Sequence, residues 1–247
     1  MRHEEGSRSV KRNLMKIFAI SDLHLSVNNE KPMDIFGPVW EGYLDKIFAQ
    51  WQELVSEDDL VLMAGDLSWA MKLEEVKPDL QMFDGLNGKK VIIRGNHDYW
   101  WKSISSLRAI LPPDFYASQN DALRFDGVVL CGTRGWKGVE KNQVLSAEDQ
   151  KIFDREVLRL EMTLQNAVKL KQDGDKLICM MHYPPLGFAK EDTKFSLLME
   201  KYGVDIVVYG HLHGYKMPET HFERNGIEYF LTSCDEVDNN IVQICQV

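Results

Sequence analysis

Five short apolar runs in this chain each end in polar residues, and the endings share a chemistry. Ile17-Phe18-Ala19-Ile20 leads to Asp22 and His24, Leu60-Val61-Leu62-Met63-Ala64-Gly65 to Asp66, and Val91-Ile92-Ile93-Arg94-Gly95 to Asn96-His97-Asp98. Further along, Leu177-Ile178-Cys179-Met180-Met181 leads to His182, and Ile206-Val207-Val208-Tyr209-Gly210 to His211 and His213. Strands buried on both faces read as continuous apolar runs, and open α/β sheets place ligand sites at the carboxyl ends of their strands. The runs are therefore expected to be parallel strands whose endings converge on one site.

Between the runs the apolar period changes. Leu44, Ile47, Phe48, Trp51, Leu54 and Val55 have helical spacing within 40–55, after a loop marked by Pro32, Gly37 and Pro38. A short helix is expected around 74–84, with Gly85 and Gly88 as breakers before a strand over 89–94, and another helix over 99–110 stopped by Pro112-Pro113. Leu123 to Gly132 reads as a hairpin about Asp126-Gly127, and Ser146 with Asp149 opens a long helix running to about 172. A strand at 176–181, a helix at 193–202, a strand at 205–209 and two late strands near 227–232 and 241–246 complete the pattern. Its βαβαβ beginning predicts an α/β fold with a parallel sheet and right-handed crossovers. Residues 111–172 separate the third and fourth polar endings and are expected to form either a cap over the site or an ordinary flanking layer.

At 247 residues and 44% hydrophobic composition the chain can bury one sizeable core, so a single domain over 15–247 is expected. Residues 1–14 are charged rather than signal-like and read as a disordered leader. A formal charge of −9 argues against an extended nucleic-acid surface, which needs clustered Lys and Arg. Cys131, Cys179, Cys234 and Cys245 are widely spaced, and at least two lie inside apolar runs, as small hydrophobes would. No stretch approaches the roughly 20 apolar residues of a membrane span. A reduced, cytoplasmic protein without membrane contact is the expectation.

Five of the seven histidines stand at the strand endings, and only His3 and His221 lie elsewhere. Burying so many polar groups together costs several kcal/mol unless something pairs them, and a cation would. The set Asp22, His24, Asp66, Asn96, His182, His211 and His213 offers oxygen and imidazole but no thiolate, which fits manganese first, with iron or zinc as alternatives. Seven ligands exceed the needs of one ion. Two divalent ions about 3.5–4 Å apart, sharing Asp66 as a bridging carboxylate, would use them all. Such a centre keeps about two positive charges after its two carboxylates are counted, and so attracts phosphate.

The ordered blocks Asp22-Leu23-His24, Gly65-Asp66, Gly95-Asn96-His97-Asp98, His182 and Gly210-His211-Leu212-His213 resemble the signature of the calcineurin-like metallophosphoesterases over roughly residues 15–215. The resemblance implies a two-sheet β-sandwich flanked by helices, a four-layer αββα fold. It implies one metal held by Asp22, His24, Asp66 and His213, and a second held by Asp66, Asn96, His182 and His211. His97 is left as the candidate general acid, protonating or stabilising the leaving oxygen after in-line attack on phosphorus by a metal-bridging hydroxide. Asp98 is expected to cap the helix that follows.

Departures from the family's branches narrow the substrate. Leu67-Ser68-Trp69-Ala70-Met71 stands where Ser/Thr protein phosphatases have an Asp-Arg-Gly run, although Arg94-Gly95-Asn96-His97 matches their version. Lipid pyrophosphatases often have Arg where His97 stands. A phosphohydrolase for a phosphodiester or small phosphomonoester is expected, with a nucleotide or other phosphorylated small molecule as substrate. A protein-phosphatase-like activity or a nuclease is the alternative, and a scaffold that has lost its metals is disfavoured because no ligand is replaced. Asn96, Arg134, Trp69 and Trp100 are the candidate substrate contacts, with Trp101 and Trp136 nearby in sequence. An indole could stack a ring and Arg134 clamp a phosphate, or the tryptophans could simply pack the sheet.

Overall fold

The computed structural model describes residues 14–27, 31–137 and 144–247; all but the last residue of the expected leader lies outside them. One sheet has the order β11-β1-β2-β3-β4, built from β1 (Lys16–Ile20), β2 (Leu60–Met63), β3 (Lys89–Ile92), β4 (Phe115–Ala117) and β11 (Val242–Gln246). Strands β1 to β4 run parallel and β11 pairs antiparallel with β1. The second sheet, β5-β6-β7-β8-β10-β9, comprises β5 (Ala122–Phe125), β6 (Val128–Thr133), β7 (Lys176–Met181), β8 (Ile206–Tyr209), β9 (His221–Arg224) and β10 (Ile227–Leu231). Here β6, β7, β8 and β10 are parallel, and the two edge strands are antiparallel to their neighbours.

Alternation along each strand explains how the sheets stack. Ile17, Ala19, Leu60, Leu62 and Val91 of one sheet meet Val128, Leu130, Ile178, Met180, Ile206 and Val208 of the other in a common core. The intervening residues Phe18, Ile20, Val61, Met63 and Ile92 face outward against Ile47 and Trp51 of α1 (Tyr43–Leu54), and against Leu80 and Phe83 in and just after α2 (Lys77–Gln81). On the opposite side, Val129, Cys131, Leu177, Cys179 and Val207 pack on Leu160, Leu164 and Ala167 of α4 (Ala147–Leu170) and on Phe195 and Met199 of α5 (Lys194–Lys201). The result is the four-layer αββα sandwich that the resemblance implies.

The long helix begins where the sequence places it: Ser146 Oγ accepts from the Asp149 amide at 3.0 Å. The described part of 111–172 supplies β4, β5, β6 and α4. The helix expected over 99–110 shrinks to α3 (Ile104–Arg108), capped by Ser103. Asp98 is not its cap. The Asp98 carboxylate is buried and accepts from the amides of Gly95, Asp66, Leu67 and Ser68 at 2.7 to 3.2 Å, tying the turn after β3 to the turn after β2. Cys131, Cys179 and Cys234 are buried and unpaired, and Cys245 is partly buried and unpaired. No helix among the described residues is long and apolar enough to cross a membrane.

Candidate metal centre

The two sheets join at their carboxyl ends. The Ser21 amide donates to Thr232 O at 2.8 Å and the Cys234 amide to Ser21 O at 3.1 Å, so the strand β1 ending is laced to the loop after β10. At this seam Asp22, His24, Asp66 and His211 all adopt positive φ, between 48° and 74°. Such backbone is disfavoured for non-glycine residues and persists where the surroundings over-determine it. Two glycines of the motif blocks are required by close approach: a side chain on Gly95 would collide with Asp66, and one on Gly210 with Asp22.

Asp22, Asp66, His182 and His213 are anchored from behind. Asp22 is fully buried, and its Oδ2 accepts from Ser21 Oγ (2.6 Å), Ser233 Oγ (3.0 Å) and the His211 amide (3.0 Å). Asp66 Oδ1 accepts from the His97 amide at 2.8 Å, which leaves Oδ2 facing His182 Nε2 at 3.4 Å and His24 Nε2 at 3.8 Å. His182 Nδ1 lies 3.0 Å from Ala64 O, fixing its proton there, while Nε2 stands 2.7 Å from Asn96 Oδ1. His213 Nδ1 bonds Asp235 Oδ1 at 2.8 Å, and its Nε2 faces Asp22 Oδ1 at 3.1 Å and His24 Nε2 at 3.3 Å. Among the described residues two groups could hold an ion: Asp22, His24 and His213, and Asp22, Asp66 and His182. His211 borders the second, its ring 5.1 Å from that of His182 and 4.1 Å from that of Tyr183.

The electrostatics follow from this crowding. Burial opposes the charge on Asp22, yet His213, His182 and His24 hold its carboxyl well below the usual carboxylate range. Burial likewise opposes the charge on His182 and His213, but Asp66 and Asp22 lift the first to about 9, and Asp22 with Asp235 lifts the second to about 10. His24 and His211 are pushed down to about 4 by burial, which keeps them neutral. Burial, with Asp66 next to it, raises Asp98 to about 6.

His97 is half-buried beside the cluster, its ring 4.5 Å from that of Trp69 and 5.6 Å from that of His24. Its Nδ1 has no protein partner. Trp69 stacks on His24 at 4.7 Å and so flanks the cluster. Trp100 does not: it is fully buried, and its Nε1 donates to Asp98 Oδ1 at 3.1 Å, so its expected contact with substrate is withdrawn. Trp101 is buried too, donating to Gln119 at 2.6 Å. Arg134 stacks on Trp136 at 4.6 Å, and its carbonyl accepts from the amides of His182 and Tyr183. Ser233 and Asp235 are site residues that the sequence reading passed over. Their signal was present: the apolar run Tyr229-Phe230-Leu231 also ends in a polar stretch, Thr232-Ser233-Cys234-Asp235, a similar grammar without a histidine.

Buried carboxylates and imidazoles clustered at the carboxyl ends of strands in an αββα sandwich define a metallophosphoesterase class of hydrolase. The chain belongs to the calcineurin-like phosphoesterase family, whose model matches residues 15–215. A probable cyclic nucleotide phosphodiesterase of Coxiella burnetii is 22% identical over 218 residues, covering 81% of this chain and 77% of that protein. Among solved structures, the phosphopantetheinyl hydrolase of Mycobacterium tuberculosis superposes with a TM-score of 0.54 at 17% identity, over 89% of each chain. TT1561 of Thermus thermophilus superposes with a TM-score of 0.55 at 10% identity, over 91% of each chain. These two structures share the fold.

Proposed function

We propose that this phosphohydrolase uses two divalent cations to cleave a phosphodiester or a small phosphomonoester in the cytoplasm. One observation carries the reading. The Nδ1 atoms of His182 and His213 are anchored outward, on Ala64 O and Asp235, so their Nε2 atoms face the oxygens of Asp66, Asn96 and Asp22 with no protein donor between. An acceptor-lined, buried cluster of this kind fits a cation. Asp22, His24, Asp66 and His213 would hold one ion, and Asp66, Asn96, His182 and His211 the other, with manganese the preferred metal. Bound there, the ions supply Lewis acidity that polarises the phosphoryl oxygens and lowers the pKa of an attacking water.

The protein's own groups do the rest. Asp98 and the His97 amide hold Asp66 in place, and Asp235 and Ser233 hold His213 and Asp22. His97, whose ring stands beside the cluster against His24 and Trp69, would give a proton to the leaving oxygen. Trp69 flanks the centre, stacked on His24. A phosphodiester is favoured as substrate because the curated relative is named a phosphodiesterase, and four unpaired thiols support a reducing compartment. The test is turnover of an aryl phosphodiester against an aryl phosphomonoester by manganese-loaded protein, followed by a nucleotide panel. A roughly tenfold preference for the diester is expected. Turnover of neither ester by fully loaded protein overturns the reading.

Metal loading should also release protons. His182 and His213 are protonated near pH 7.5 in the metal-free protein, since their values lie near 9 and 10 against 6.5 when unperturbed. Ligation needs their neutral form. About two protons per chain are expected to leave, read from calorimetry in buffers of different ionisation enthalpy. The same raised values stabilise the metal-free fold below pH 6.5, and that contribution is lost as pH rises through about 9 to 10. Metal affinity should therefore tighten over that window while the metal-free protein weakens. Loading without proton release at pH 7.5 would contradict the assignment of both histidines.

A further inference from the structure

Beside the centre, between the carboxyl ends of β3 and β6 and the middle of α4, lies a cleft of about 260 Å³. Its wall carries Arg94, Lys102, Arg134, Arg155 and Arg159 against the single carboxylate of Glu156. Five cations less one carboxylate leave four positive charges, on a chain whose formal charge is −9. Glu156 cannot neutralise them all. It is fully buried and already accepts from Thr133 Oγ1 at 2.6 Å and from Arg159 at 2.7 Å, while Arg134 and Arg155 stand off at 3.9 and 3.8 Å.

Two of the guanidinium groups are also unfinished. The Nε atoms of Arg94 and Arg134 are buried and have no protein partner, a state that costs about 1–3 kcal/mol per donor unless a ligand or water completes it. Both residues adjoin the metal centre. Arg94 lies two residues before Asn96, within about 7 Å of chain, and the Arg134 carbonyl accepts from the His182 and Tyr183 amides at 3.2 and 2.9 Å. A molecule with its scissile phosphate at the imidazoles could therefore place another group in this cleft.

We infer that the cleft binds a second, uncleaved phosphate of the substrate, so that the preferred substrate is a small phosphoester bearing a further phosphate group. This rests on the reading of the centre as a phosphohydrolase site. Guanidinium forks match phosphate geometry, and a dianion suits four clustered charges better than a carboxylate does. The cleft's small volume and the acidic charge of the chain favour a small molecule over a polynucleotide strand.

The test compares the p-nitrophenyl ester of thymidine 5′-phosphate with the same ester carrying a 3′-phosphate, on manganese-loaded protein. The 3′-phosphate should raise kcat/KM roughly 10–100-fold, mainly through KM, the worth of one or two charge-assisted hydrogen bonds. In a Lys102→Gln/Arg155→Gln variant that ratio should fall towards one. Lys102 and Arg155 are chosen because both are exposed and neither makes a short bond to Glu156, so the fold should survive. A ratio near one in the unaltered protein, or a ratio that the double variant leaves intact, overturns the inference while hydrolysis of the simple ester leaves the functional reading standing. Hydrolysis of neither ester sinks the functional reading itself. Faster cleavage of single-stranded oligothymidylate than of the 3′-phosphorylated ester would replace the small molecule with a strand.

Discussion

Asp66→Asn is expected to empty both metal positions to a large degree and to lower kcat/KM by at least roughly 10²-fold, since losing even an outer partner of a metal ligand costs 10–100-fold. The reason is the division of labour between its two oxygens. Oδ1 is occupied by the His97 amide at 2.8 Å, and Oδ2 alone looks into the cluster, towards His182 Nε2 and His24 Nε2. An amide in the same place keeps one oxygen and turns a donor on the other groups, so either the His97 contact or the shared ligand is lost. The negative charge goes with it. Elemental analysis of protein reconstituted with excess manganese reads the outcome, and circular dichroism checks that the fold is retained. Two metals per chain in the variant would refute the bridging role.

His97→Ala should keep both metals and lose roughly 10²–10⁴ in rate on an ester with an alkyl leaving group, the usual contribution of a general acid. Metal retention is expected because His97 supports Asp66 through its backbone amide, which alanine preserves. Among the described residues its ring meets the aromatic rings of Trp69, His24 and Tyr99, and its Nδ1 bonds to no protein group. Burial holds the free imidazole below its ordinary value. An anionic phosphate arriving within a few ångströms favours the protonated form and reverses that shift. The loss should shrink for p-nitrophenyl esters, whose leaving group needs no proton. A variant that loses metal would make His97 a ligand, and an equal loss on both kinds of ester would remove its role as acid.

Residues with a local physical signature were legible in the chain. The β5–β6 hairpin, the Ser146 cap, the apolar strands and the five motif endings all report themselves through period, turn chemistry or residue type. What went astray depended on contacts distant in sequence. Asp98 followed by Tyr99-Trp100-Trp101 has the local form of a helix start. The carboxylate instead serves amides some thirty residues away at Asp66, Leu67 and Ser68, and the two indoles are drawn into the core, delaying the helix to Ile104. The three-residue β4 and the edge strand β9, whose burial alternates between exposed and partly buried, carry too little periodic signal to announce themselves.

By itself the sequence determined the fold class, the family and the inventory of groups able to bind metal, because these depend on residue type and order. Tertiary structure alone decided which nitrogen of His182 and of His213 points inward, that Asp235 and Ser233 belong to the site, that Trp100 does not, and that five cationic side chains from three separate segments share one cleft. Those outcomes turn on where the two sheets meet at Ser21 and Thr232, and no local pattern records the meeting of segments more than two hundred residues apart.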